Sequence, residues 1–171
     1  MRHVHYYIGN GKGKTSAAVG QAVRAAGHGW RVCFTQFMKN NTSGEIEVLE
    51  SIKGIDVIKG KPIKSFYVFM DEAEKNDVYC NQNSHLEKII SIAGKFDMLI
   101  LDEISDAVEL GIIDLDKLID FINSSRSELE IVMTGHTMNE AIVETCDYVT
   151  EMKSKKHPYE KGVSARKGIE F

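Results

Sequence analysis

The run Gly9-Asn10-Gly11-Lys12-Gly13-Lys14-Thr15 has the residue types and spacing to hold a polyphosphate. Glycines let the backbone take positive φ and turn its NH groups inward on an anion. A helix-like run opening at Ser16 would add the partial positive charge of its N-terminus. Lys14 would then sit on the phosphates and the Thr15 hydroxyl on Mg²⁺. The usual spacing, G-x-x-x-x-G-K-[ST], puts its first glycine at position 8, where this chain has Ile8. Gly9 makes the loop one residue tighter, and Lys12 adds a second cation. A plain glycine-rich turn with both lysines solvated is the alternative. The coincidence of strand, glycine spacing, Lys-Thr and helix favours the phosphate cradle.

A second stretch, Met98-Leu99-Ile100-Leu101-Asp102-Glu103, could supply the metal's other ligand. Its apolar residues fit a strand buried on both faces, with two carboxylates at the C-terminal end. Asp102 or Glu103 would meet the phosphate loop across the sheet and bind Mg²⁺, directly or through water. The same residues would also suit the start of a helix, and the two roles are compatible. Lys39, Thr42 and Ser43 lie in a polar loop after an expected strand, where ligand contact and simple solvation are both open.

Those residues need an alternating α/β scaffold. Strands are expected at 3–8, 31–37, 55–58, 98–101, 130–134 and 148–152, and helices at 15–26, 45–51, 71–95, 114–124 and 139–146. Ser43 is placed to cap the second helix. The fold class is α/β: a mostly parallel sheet of about five or six strands flanked by helices, P-loop NTPase-like and specifically RecA-like. Lys59 to Met70 combines lysines 59, 61 and 64 with Phe66, Tyr67 and Phe69. These aromatics could stack on a flat ligand or dip into the core, and the core is the first choice. After Met152 comes a basic tail, 153–171, expected to be solvated by its charge but closing in the apolar-containing Gly168-Ile169-Glu170-Phe171. We therefore divide the chain into a nucleotide-binding domain, 1–152, and a tail packing on or near the ligand site.

Composition narrows the classes. With 171 residues and a charged fraction of 27%, an ordinary single globular domain is expected. There is no apolar run near the ~18 residues of a membrane span, and residues 1–20 lack a signal-peptide layout. Cys33, Cys80 and Cys146 form no C-x-x-C pair. That argues against a disulfide framework or structural zinc and for a cytoplasmic protein. The net charge of −4 disfavours non-specific nucleic-acid binding.

Taken together, the shortened loop at 9–15, Gln36-Phe37-Met38-Lys39, Leu101-Asp102-Glu103, Thr134-Gly135-His136, 147–152 and the closing Gly-Ile-Glu-Phe resemble the ATP:corrinoid adenosyltransferases of the phosphate-loop type. The resemblance runs over nearly the whole chain. It implies attack of Co(I) on the ribose C5′ of ATP, with triphosphate leaving whole, from a nucleotide lying reversed in the loop. It also implies that Gly9, Asn10, Gly11, Lys12, Gly13, Lys14, Thr15 and Ser16 form the ATP site, with Lys12, Lys14 and Thr15 carrying the chemistry. Thr15 with Asp102 or Glu103 would hold Mg²⁺. Phe66, Tyr67 and Phe69, with Lys39, would contact the corrinoid, and an electron-donating reductase such as a flavoprotein and a homodimer are implied partners. The chain departs from the family pattern at Phe66-Tyr67-Val68-Phe69, where F-x-W is usual, at Asn40 instead of glycine, and at His136 instead of arginine. A small-molecule kinase or ATPase on the same fold is the rival reading, and a non-catalytic ATP-binding regulatory module a third.

Overall fold

Short apolar and β-branched runs bounded by glycines and polar residues become strands here; 32–36, 98–102 and 130–134 bury every residue beneath helices on both faces, whereas the edge strand 148–151 is exposed along its length. In the computed structural model, which describes residues 1–63 and 65–169, the strands are β1 (Val4–Ile8), β2 (Val32–Gln36), β3 (Ile55–Val57), β4 (Met98–Asp102), β5 (Glu130–Thr134) and β6 (Tyr148–Glu151). They form a 6-stranded parallel sheet in the order β3-β2-β4-β5-β1-β6. This is the parallel α/β architecture expected. β5 lies between β1 and β4, so the phosphate loop and the Asp102 carboxylate stand one strand apart along the C-terminal edge.

Helices α1 (Lys14–Gly27) and α2 (Gly44–Ser51) cover one face. Ala18, Ala22 and Ala25 recur at helical spacing and let α1 pack closely on Val32, Phe34, Ile100 and Val132. On the other face lie α3 (Glu72–Ile92), α4 (Ile104–Glu109), α5 (Leu115–Ser125) and α6 (Glu140–Val143), around Leu86, Leu99, Leu101, Ile104, Leu118 and Met133. Asp71 starts α3 with a capping box to Glu74.

Several expectations change. α4 is absent from the sequence reading, because a helix of 6 residues is too short to show a period. α6 is only 4 residues long. Ser43 stands at the N-cap of α2, but its side chain makes no capping bond. The buried face of α3 begins earlier than its apolar stripe, and includes Val78, Gln82 and His85. Lys64, Glu170 and Phe171 lie outside the described residues.

His85 makes the core sensitive to acid. The Thr35 hydroxyl donates to the Ile58 carbonyl at 2.7 Å, so its oxygen accepts from His85 Nε2 at 2.6 Å, and the ring is neutral. Burial pushes the imidazole down from 6.5 to about 4. Between those values the unfolded chain binds the proton and the folded chain does not, so stability falls as pH drops through that window. The expected loss is about 3 kcal/mol from this group. Urea denaturation from pH 7 to 4 should show that fall in the native protein and a smaller one in His85→Gln; equal falls would exclude His85 as the source.

Candidate functional site

The loop after β1 is shaped by contacts far away in sequence. Gly9 and Gly13 take φ of +105° and +114°, as a phosphate-cradling turn requires. Gly11 does not; it is needed for space. A Cβ there would lie 2.7 Å from the Met152 carbonyl oxygen, and one on Gly9 2.4 Å from the same atom. The loop therefore leans on the backbone that follows β6, and Gly11 N donates to Met152 O at 2.7 Å. Asn10 Oδ1 accepts from Ser154 N at 2.9 Å, and Gly9 N donates to His136 O at 3.1 Å.

Lys14 opens α1 with its Nζ at the centre of the loop, 2.6 Å from Gly9 O and 3.0 Å from Gly11 O. Burial draws its pKa below the ordinary value, although Asp106, Glu103 and Asp102 pull it back up. Lys12 Nζ lies 2.6 Å from the Ile169 carbonyl of the tail.

Beneath the loop, Asp102 is fully buried. Its Oδ1 accepts from Thr134 Oγ1 at 2.8 Å and its Oδ2 from Gln36 Nε2 at 3.0 Å. Both donors are neutral, and among the described residues no cation lies within ion-pair distance of it. A buried carboxylate left this way is costly, and a divalent cation beside it would offset that cost. Glu103 differs: Lys39 Nζ lies 2.5 Å from its Oε1. Burial works to lower the Lys39 pKa, but the attraction and hydrogen bond of Glu103 outweigh it and hold the pKa above its usual value. No cluster of three or more His, Cys, Asp or Glu residues stands ready as a metal cage among the described residues. Mg²⁺ needs none, since it is commonly held by one or two carboxylates, substrate phosphates and water. The donors present suit it, Asp102 better than Glu103.

Glu103 itself takes φ +58°, a strained value for a non-glycine residue, with its NH on Thr134 Oγ1 at 2.8 Å. One turn on, Asp106 accepts from His136 N at 2.8 Å and pairs with its Nδ1 at 3.1 Å. That bond raises the His136 pKa against the opposing effect of burial. Sequence reasoning passes over Asp106; only a contact across 30 residues brings it to the loop.

Thr15, Ser16, Lys39 and Glu103 line a cleft of about 1000 Å³ together with Phe66, Tyr67 and Val68. Thr42, Ser43, Gly168 and Ile169 complete its rim. The family described as ATP:corrinoid adenosyltransferase BtuR/CobO/CobP matches residues 1–171. The chain belongs to this family.

The corrinoid adenosyltransferase of Escherichia coli strain K12 is 31% identical over 166 residues, spanning 96% of this chain and 83% of that protein. Its Pseudomonas aeruginosa counterpart is 30% identical over 173 residues, spanning 96% and 81%. At the level of fold, the flagellar accessory protein FlaH from Methanocaldococcus jannaschii superposes with a TM-score of 0.56 at 13% identity, over 88% of this chain and 72% of that one.

In this adenosyltransferase the aromatic run does not dip into the core as first expected. Phe66 and Phe69 are 78% and 83% exposed. The segment Tyr67–Phe69 is a single 3-10 turn, too short to bury one face; only Tyr67 packs partly against the core. Phe66 meets Phe69 edge-on at 6.4 Å, but Phe69 is not a wall of the cleft. Lys39, which the resemblance assigned to the corrinoid, lines the cleft while its ammonium is engaged by Glu103. Among the described residues no helix is long and apolar enough to cross a membrane.

Proposed function

We infer that this adenosyltransferase transfers the 5′-deoxyadenosyl group of ATP to Co(I) of a corrinoid and releases inorganic triphosphate whole. The observation that carries the reading is one cleft lined both by the start of α1 and by the aromatic segment Phe66-Tyr67. Its volume of about 1000 Å³ reaches the upper end of the range for small-molecule sites. A nucleotide and a flat macrocycle can meet face to face in it.

The cobalt lone pair attacks C5′; the cobalt–carbon bond forms as the C5′–O bond breaks, and its electrons leave with the triphosphate. Because the corrinoid brings the nucleophile, the chain needs no activated serine or cysteine. Its work is to stabilise the leaving charge and to hold C5′ in line. Lys12, Lys14 and the NH groups between Gly9 and Ser16, other than those of Gly9 and Gly11, which are bonded to His136 and Met152, receive the triphosphate. Thr15 and Asp102, with Glu103 close by, would hold Mg²⁺, which when bound neutralises charge on the leaving group. Phe66 and Tyr67 flank the corrin, with Phe69 and Lys39 at its margin. The tail, through its described part 153–169, covers the nucleotide end: Gly168 and Ile169 in the cleft lining and the Lys12 bond to Ile169 support this. An electron-donating reductase such as a flavoprotein supplies the electron that makes Co(I), and the enzyme works in the cytoplasm as a homodimer.

The deciding experiment is an anaerobic assay with ATP, Mg²⁺ and a chemically reduced corrinoid, following the cobalt spectrum and the phosphate products together. A light-sensitive adenosylcorrinoid formed one-for-one with triphosphate is the expected result. ADP with an unchanged corrinoid would overturn the reading in favour of phosphoryl transfer. ATP binding without turnover would favour a regulatory module.

A further inference from the structure

Phe34, Ile100 and Val132 lie side by side on β2, β4 and β5, under the alanines of α1. Side chains alternate along a strand, so the residues two further on share that face. These are Gln36, Asp102 and Thr134, at the C-terminal ends of the three strands and beneath the start of α1. An apolar layer thus ends in a polar row, of which Gln36 is 5% exposed and the other two fully buried. Asp102 is held from both sides within it.

A carboxylate only accepts hydrogen bonds, so Gln36 must turn its amide nitrogen to Asp102 and its oxygen away. That oxygen, Oε1, has no partner, and among the described residues it is the one such buried side-chain nitrogen or oxygen. Buried acceptors left unmade are costly and rare enough to require a reason. A glutamine is a poor choice if its sole task is to donate to Asp102, since a hydroxyl does that for the other carboxylate oxygen.

We propose that Gln36 is a positioning residue for the divalent cation, holding Asp102 with Nε2 and presenting Oε1 to a water in the cation's coordination shell. Mg²⁺ loses its waters reluctantly, and such waters donate strongly to a nearby carbonyl. Partners that orient the ligands of a metal affect its affinity nearly as much as the ligands do. The inference rests on the assignment of Mg²⁺ to Thr15 and Asp102.

The test reads binding, not turnover. ATP is titrated calorimetrically into the enzyme with Mg²⁺ and again with EDTA, and the ratio of the two affinities measures the contribution of the cation. Gln36→Leu and Gln36→Met, which roughly keep the volume but lose both the acceptor and the donor to Asp102, should each cut that ratio about tenfold. Affinity in EDTA should hold, while the thermal midpoint falls by a few degrees because Asp102 Oδ2 loses its donor. A merely structural role predicts both affinities reduced equally with the ratio unchanged, and that result would overturn the proposal. Asp102→Asn run in parallel separates the two assignments. If it collapses the ratio while both Gln36 variants leave it intact, the role of Gln36 is rejected and the metal site stands. If it leaves the ratio intact, the metal assignment fails and this inference with it.

Discussion

Lys14→Ala should lower kcat/KM for adenosyl transfer about a thousandfold or more, while the protein stays folded. Its Nζ sits amid the loop carbonyls of Gly9 and Gly11, with Asp102, Glu103 and Asp106 close enough to influence its titration. Without the ammonium, a strongly anionic leaving group would meet the Asp102, Glu103 and Asp106 carboxylates with one cation fewer to offset them. Loss of one well-placed donor to developing charge costs 10²–10³-fold in comparable sites, and the lost cation compounds it. A thousandfold corresponds to about 4 kcal/mol of transition-state stabilisation. Lys14 is part of no apolar cluster, so the thermal midpoint should change by only a few degrees. The check is the initial rate of cobalt–carbon bond formation from chemically reduced corrinoid, which bypasses the reductase. Activity within tenfold of the native enzyme would remove Lys14, and with it the loop, from the reaction.

The second large effect is on the loop itself. Gly9→Ala would force a side chain into φ +105° and place its Cβ 2.4 Å from the Met152 carbonyl oxygen. Neither side can yield cheaply. Met152 N donates to Ile8 O at 2.8 Å and Met152 O accepts from Gly11 N at 2.7 Å, so the opposing backbone is tied into β1 and the loop. The positive φ alone costs roughly 1–2 kcal/mol, and relieving the overlap means moving the loop off the end of β6. We expect a fall in thermal midpoint of about 10 °C, from roughly 4 kcal/mol in a protein of this size, with loss of ATP binding. Gly20→Ala is the matched control. Gly20 lies within α1 with no atom within 4 Å of its added Cβ, so that change should be neutral or stabilising by about 0.5–1 kcal/mol. Equal midpoints for the two variants would show that the Met152 contact does not constrain the loop.

Much of the molecule was legible before folding was considered. The strands around Phe34, Ile100 and Val132 announce themselves as continuous apolar runs, and α1 as alanines at helical spacing. Where length ran short the pattern failed at α4, and at α6 it found the helix but overran its end. Chemical type alone failed at Phe66 and Phe69, because an aromatic side chain looks the same in a core and on an exposed turn. Position at a 3-10 turn too short to bury one face, not hydrophobicity, leaves them exposed.

Local order in the chain was enough for the strand–loop–helix unit around 9–15, the parallel α/β class, the carboxylate closing β4 and the family to which they belong. All are written in local order: period two or 3.6, glycine spacing, and residues adjacent to a strand end. Folding in three dimensions was needed to show that Met152, not backbone conformation, demands glycine at position 11; that Lys39 answers Glu103; that Asp106 holds His136; and that Gln36, Asp102 and Thr134 form one row. Those contacts join residues 30 to more than 100 positions apart in the chain. They exist because the sheet runs β3-β2-β4-β5-β1-β6, so that strands distant in sequence become neighbours. Strand order is set by how whole helices and strands pack together, and no local pattern of residues carries it.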